Sequence, residues 1–173
     1  LYYNNSFIHN FLTILINNCT KNISIIQYDP NFIYNIPNCL FYTPTICGNP
    51  TYESIKLVQS LFNKTNMHNI HNIFIFRKDN LDRSISNFNQ TLQFIQDNFG
   101  KFIVFDSDNF TTQETITLFQ NANLIIAPHG AGLANIIFSN IYTKVIEFIP
   151  EDNPNLCYYH LSFYKFCQMN IYL

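Results

Sequence analysis

From about residue 50 onward, short apolar runs alternate with segments whose apolar residues recur at three- and four-residue spacing. Residues 70–76, 102–105, 124–127 and 144–149 are β-rich runs bounded by polar or turn-forming residues. Between them lie helical patterns. Residues 51–63 carry Ile55, Val58, Leu61 and Phe62 at helical spacing, with Thr51 as N-cap. Residues 87–98 carry Leu92, Phe94 and Ile95 and end at Gly100. Residues 111–121 carry Ile116, Leu118 and Phe119 behind a Thr cap with Glu114 in the first turn. A short helix is expected at 130–138 and a final one at 155–167. Residues 1–50 are less regular: 23–28 and 39–42 suggest short strands, and Pro30, Pro37, Pro44 and Pro50 punctuate turns. The longest apolar stretch, 7–16, is interrupted by Asn10 and Thr13, and no run reaches the length of a membrane span.

Strands that are apolar throughout and alternate with amphipathic helices predict an α/β fold with a parallel, Rossmann-like sheet covered on both faces. Such sheets bind ligands outside the carboxyl ends of their strands. Residues 67–150 alone supply most of that domain. The segment before it reads as the tail of another unit followed by a linker helix and connector over 51–66, and 151–173 as a C-terminal helix and tail.

Composition adjusts this picture in two ways. Asn, Ile, Phe and Tyr together make 80 of 173 residues, all with AT-rich codons. Base composition accounts for them, so the scarce residues (four Gly, two Arg, five His) carry more information. A net charge of -2 and a pI near 6.2 argue against a nucleic-acid binder. The five cysteines show no CxxC and no zinc-like Cys–His spacing; Cys39 and Cys47 could pair across a loop, and buried thiols are the plainer reading. Six N-x-[ST] sites stand where chance gives about three, a weak pointer to a secretory lumen. The chain starts at Leu without a charged leader and reads as an internal fragment.

Chemistry concentrates at Ala127-Pro128-His129-Gly130-Ala131-Gly132-Leu133-Ala134-Asn135, where a strand ends and a helix begins. Two of the four glycines stand here within three residues. Glycine admits close backbone approach, and a helix start offers N–H groups to an anion; tight strand–helix packing explains the same residues equally well. The loop is neither a GxGxxG fingerprint nor a Walker A loop. Glu147 sits in the last apolar strand, either as an acceptor for ribose hydroxyls or as an edge residue facing water. Arg77 follows the first strand, with Arg83 and Asn87 in the next loop, and arginine's fork suits phosphate oxygens. Gln113 and Glu114 stand in a helix's first turn, as contacts or as caps. Asp106-Ser107-Asp108 spells a DxD, but a turn is the simpler reading.

The ordered set formed by Arg77, Arg83-Ser84-Ile85-Ser86-Asn87, Gln113-Glu114, the His129–Asn135 loop, Val145-Ile146-Glu147 with Pro150, and Tyr158-Tyr159-His160-Leu161 resembles glycosyltransferase family 61. The resemblance covers about residues 70–165. It departs from the family pattern at Thr115 and in 139–144, which lacks the Pro-Pro-Gly often found there.

The resemblance implies the C-terminal, donor-binding half of a GT-B-type transferase. Residues 1–50 would be a remnant of the N-terminal domain, the rest of that domain being a missing partner. It implies an inverting, metal-independent transfer of N-acetylglucosamine or xylose from a UDP-sugar donor to a protein-linked glycan, a protein hydroxyl or a polysaccharide, with no cofactor. The donor set would be Arg77, Arg83, Asn87, Gln113, His129, Gly130, Ala131, Gly132, Leu133, Asn135 and Glu147. His129 is the sole candidate for a catalytic group. The lumen of the ER or Golgi would be the compartment in a eukaryotic secretory parent, the cytoplasm otherwise. The alternative is a catalytically inactive nucleotide- or glycan-binding module on the same scaffold.

Overall fold

The computed structural model describes residues 6–18, 22, 24, 26, 29–38, 49–62, 69–78, 83–152, 154–165 and 168–172. The chain divides into two compact units, Leu1–Ile46 and Cys47–Leu173. In the first unit, Ser6–Asn17 forms helix α1, which the sequence pattern had not suggested. Asn10 and Thr13 do not break it. Both lie on its exposed side, and the Thr13 hydroxyl donates to the His9 carbonyl at 2.9 Å. The strand expected at 39–42 lies outside the described residues. So does that at 23–28, except Ser24 and Ile26, which have no regular structure.

The second unit is built on five parallel strands: β1 (His71–Ile75), β2 (Phe102–Phe105), β3 (Ala122–Pro128), β4 (Lys144–Phe148) and β5 (Gln168–Tyr172). Their spatial order is β2-β1-β3-β4-β5. The helices are α2 (Tyr52–Ser60), α3 (Phe88–Phe99), α4 (Thr112–Gln120) and α5 (Cys157–Lys165). The segment Ala131–Phe138 is a 3-10 helix rather than an α-helix. β5 was missed by the sequence pattern, which ended in a helix and tail. Its five residues join the sheet by pairing Gln168–Tyr172 with Lys144–Phe148.

Local signals set the boundaries. The Thr51 hydroxyl accepts from the Ser54 N–H and starts α2. A reciprocal capping box starts α4: Glu114 N–H donates to the Thr111 hydroxyl, and Thr111 N–H donates to the Glu114 carboxylate. These bonds hold the Glu114 carboxyl below its usual range. Glu114 is therefore a cap.

Strand alternation sends successive side chains to opposite faces. One face collects Ile73, Ile75, Phe105, Ile125, Ala127 and Val145 under α2, α4, the 3-10 helix and α5. The other collects Phe74, Phe102 and Ile126, with Ile146 and Phe148, and α3 supplies its helical cover through Ile95 and Leu92. Both faces are covered, but unequally. Helix α2 is part of the first layer: Ile55 is buried there, Gln59 Nε2 donates to the Ile137 carbonyl at 3.4 Å, and Phe62 meets the Phe138 ring edge-on.

Candidate functional site

The sheet order reverses between β1 and β3. The chain moves from β1 outward to β2 and then returns past β1 to β3, which leaves a crevice at the carboxyl ends of β1 and β3. A cleft of about 240 Å³ opens there, lined by Pro128 at the end of β3 and by the residues that follow β1 (Phe76–Lys78), β2 (Asp106–Asp108) and β3 (Gly130–Gly132).

Arg77 crosses this cleft. A β-carbon at Gly130 would fall 2.3 Å from Arg77 Nη1, so only glycine leaves room for the guanidinium over the loop. Arg77 Nε is buried and has no hydrogen-bond partner among the described residues. A guanidinium N–H left this way is an unfilled demand for an acceptor. Gly132 serves strand–helix packing instead, since a β-carbon there would fall 2.9 Å from the Ile75 Cγ2. Gly132 thus fits the packing reading, and Gly130 makes room for a side chain of this chain, Arg77.

His129 and Glu147 point to the same sheet face, because Ala127 pairs with Glu147 and His129 lies two residues further along β3's line. His129 N–H extends the ladder to the Phe148 carbonyl at 2.8 Å. His129 Nδ1 lies 2.7 Å from Glu147 Oε1, with the side chains 5% and 0% exposed. Burial pushes the Glu147 carboxyl up to about 7. Burial also pushes the His129 imidazole down, and the Arg83 and Arg77 charges add to that. The ring of Tyr158, on α5, packs against His129 at a centroid distance of 5.2 Å. Burial raises the Tyr158 phenol to about 12, so it stays a hydroxyl. Glu147 is neither at an open edge nor facing water. Its carboxylate meets His129 inside the protein and is not presented to a ribose.

The other expected site residues separate. Arg83 is exposed, near enough for its charge to act on His129 and Tyr158, and takes a left-handed backbone at φ 69. A non-glycine residue there carries strain of about 1–2 kcal/mol. Ala131 is exposed at the cleft. Leu133 is fully buried in the core, so its side chain belongs to packing and not to ligand contact. Asn135 Nδ2 is spent on the Gly132 carbonyl at 3.1 Å. Asn87 stands at the N-terminal boundary of α3, where its Oδ1 accepts from the Thr91 hydroxyl at 3.2 Å and makes no capping bond to the backbone, and it borders a second, polar cleft with Phe76 and Phe88. Gln113 is exposed on the first turn of α4, away from the lining of the main cleft.

Sequence reasoning missed Lys78, which pairs with Asp108 at the cleft's rim. Lys78 was open to discovery, because it directly follows Arg77 at the end of β1. Asp106-Ser107-Asp108 forms the expected turn, in which the Asp106 carboxylate accepts from the Asp108 N–H. Among the described residues no group of three His, Cys, Asp or Glu is placed to hold a metal ion, and no helix is long and apolar enough to cross a membrane. Cys157 is in no disulfide, and the other four cysteines lie outside the described residues.

A family model, Glycosyltransferase 61, matches residues 6–146. The chain belongs to glycosyltransferase family 61. The match spans both compact units, from the start of α1 to β4, so the family's domain begins well before the motif-rich region that carried the resemblance. A search of curated proteins found no match. Membership makes this a glycosyltransferase-family domain whose five-stranded parallel sheet accords with a Rossmann-like fold.

Proposed function

We propose that the second unit of this glycosyltransferase domain holds a UDP-sugar donor with its diphosphate in the cleft at the β1–β3 crevice. The observation that carries this reading is Arg77, whose guanidinium lies over Gly130 with a buried Nε that has no acceptor among the described residues. Arg77 lines the cleft, and a diphosphate oxygen is an acceptor that suits the part of its guanidinium turned to the cleft, since arginine binds such oxygens through parallel N–H bonds. Arg83, which is not in the cleft lining, adds a second positive charge that acts on His129, and Ala131 and Gly132 open the 3-10 helix at the cleft.

In the reaction class of the family, the bond from the sugar's anomeric carbon to the diphosphate breaks as an acceptor hydroxyl attacks that carbon. The nucleoside diphosphate leaves with growing negative charge. Preorganised donors aimed at that charge lower the barrier, and Arg77 and Arg83 supply them without a resident metal ion. Transfer with inversion also needs a base for the acceptor's proton. In the GT-B arrangement the facing domain supplies that base, and the acceptor is a glycan, a protein hydroxyl or a polysaccharide.

Thermal-shift measurements with UDP, ADP, GDP and inorganic phosphate test the donor class. UDP raises the unfolding temperature of the wild-type chain and leaves Arg77→Ala nearly unmoved. An equal response to all four ligands contradicts a uridine donor, and no response to any contradicts the donor site. UDP-N-acetylglucosamine and UDP-xylose, compared in the same way, separate hexosyl from pentosyl transfer.

A further inference from the structure

The buried His129–Glu147 contact is more than a packing detail, because of what surrounds it. Glu147 has one oxygen on His129 and the other, Oε2, buried with no partner among the described residues. The groups facing the pair are the Tyr158 hydroxyphenyl ring from α5, Arg77 from the end of β1 and Arg83 from the loop before α3. Arg77 touches Gly130, the residue next to His129. A carboxyl and an imidazole 2.7 Å apart are within hydrogen-bond distance of each other, and the positive charges of Arg77 and Arg83 act on the imidazole.

We propose that Glu147 is a positioning residue for His129, and that the pair is a proton store coupled to the arginines. An anionic nucleotide settling on Arg77 and Arg83 raises the pair's proton affinity, so that near the midpoint about half of the molecules take up a proton from solvent for a one-unit shift. The proposal rests on the donor site described above. With the arginine charges uncompensated, the pair holds the imidazole neutral beside a carboxylate that is partly protonated near neutrality. The diphosphate's negative charge cancels the field that disfavours protonation. The incoming proton completes a second N–H on the imidazole or an O–H on the carboxyl, and the net charge of the pair rises by one. By linkage, nucleotide binds more tightly as pH falls through the titration of the pair.

The test follows the His129 ring by NMR in the full 173-residue chain, free and saturated with UDP, from about pH 5 to pH 9. His129→Gln assigns the signal. The expected result is an upward move of the midpoint by about one unit on saturation, equivalent to a tenfold change in affinity. Arg83→Ala moves the midpoint upward with no ligand present, since it removes one of the two charges at an exposed position. Glu147→Gln loses most of the UDP-induced move, and Glu147→Asp, which keeps the carboxylate, retains part of it. An unchanged midpoint with UDP bound overturns the coupling and leaves the donor site standing, as does an unchanged midpoint in ligand-free Arg83→Ala. An undiminished move in Glu147→Gln overturns the role of Glu147. Absence of any UDP-induced shift across the spectrum of folded protein overturns the donor site itself, and this proposal with it.

Discussion

Arg77 rests on Gly130, and a β-carbon at the glycine would lie 2.3 Å from the guanidinium. The contact explains the glycine by what stands over it. It also separates two residues that look equivalent in the sequence. Gly130 accommodates the tip of a flexible side chain, whereas Gly132 accommodates a branched methyl in the core.

The two glycines therefore fail differently. Gly130→Ala displaces Arg77, and UDP affinity falls by about tenfold while the unfolding free energy changes little, because the long side chain swings aside. Gly132→Ala presses on Ile75, which is 5% exposed in a packed core, and destabilises by about 1–3 kcal/mol as overpacked cores do. Urea unfolding and UDP titration of both variants check the pair. Equal loss of stability in the two would refute the distinction.

Leu133 tests whether the loop's apolar member packs or binds. Truncating a fully buried leucine costs about 2–5 kcal/mol, so Leu133→Ala is expected to lower the denaturant midpoint strongly. UDP affinity of the fraction that remains folded is expected to stay within about threefold, under 1 kcal/mol. A stable variant with lost affinity would return Leu133 to the ligand-contact set.

The sign of the Glu147 effect on stability follows from its raised carboxyl, about 7 when folded against 4.5 in the unfolded chain. The folded state holds the proton more tightly. Its contribution is complete below pH 4.5 and declines as pH rises toward 7. Glu147→Gln removes that slope. The variant gains stability relative to wild type across this window, by an amount on the order of 3 kcal/mol at its upper end. Depression of His129 acts oppositely, costing stability as pH falls below 6.5. Guanidinium unfolding of both proteins at several pH values measures the difference, and a pH-independent difference would contradict a buried, raised carboxyl.

In the proposed donor site arginines meet the charge on the leaving diphosphate, so UDP binding is expected to survive a chelator. Titration in EDTA and in magnesium gives dissociation constants within about twofold, a difference under 0.5 kcal/mol. Binding that vanishes in EDTA would assign the charge compensation to a cation.

Much of the second unit was legible because its signals are local. Thr51, Thr111 with Glu114, and Gly100 mark helix ends through hydrogen bonds to neighbours a few residues away. The apolar runs of β1, β3 and β4 declare themselves because they are buried in the middle of the sheet. What was missed depends on distant partners. β5 is a polar, aromatic segment that becomes a strand only by pairing with β4. Helix α1 was hidden because Asn10 and Thr13 looked like interruptions until its exposed side was known. The site was legible as a cluster of residue types but not as a geometry. Glu147 and His129 are 18 residues apart, and nothing in the sequence says that the carboxylate turns inward to the imidazole. Leu133 and Asn135 share a motif with the cleft residues, yet one is core and the other binds its own loop.

The central claim is that Arg77, over Gly130 at the β1–β3 crevice, receives the diphosphate of a nucleotide-sugar. Calorimetric titration of UDP into the wild-type chain and Arg77→Ala, with folding of both checked by circular dichroism, tests it most directly. The account predicts a 1:1 complex in the micromolar to millimolar range, about -8 to -4 kcal/mol, weakened by tenfold or more in the variant. No binding by the folded wild type, or equal affinity in the two proteins, would contradict it.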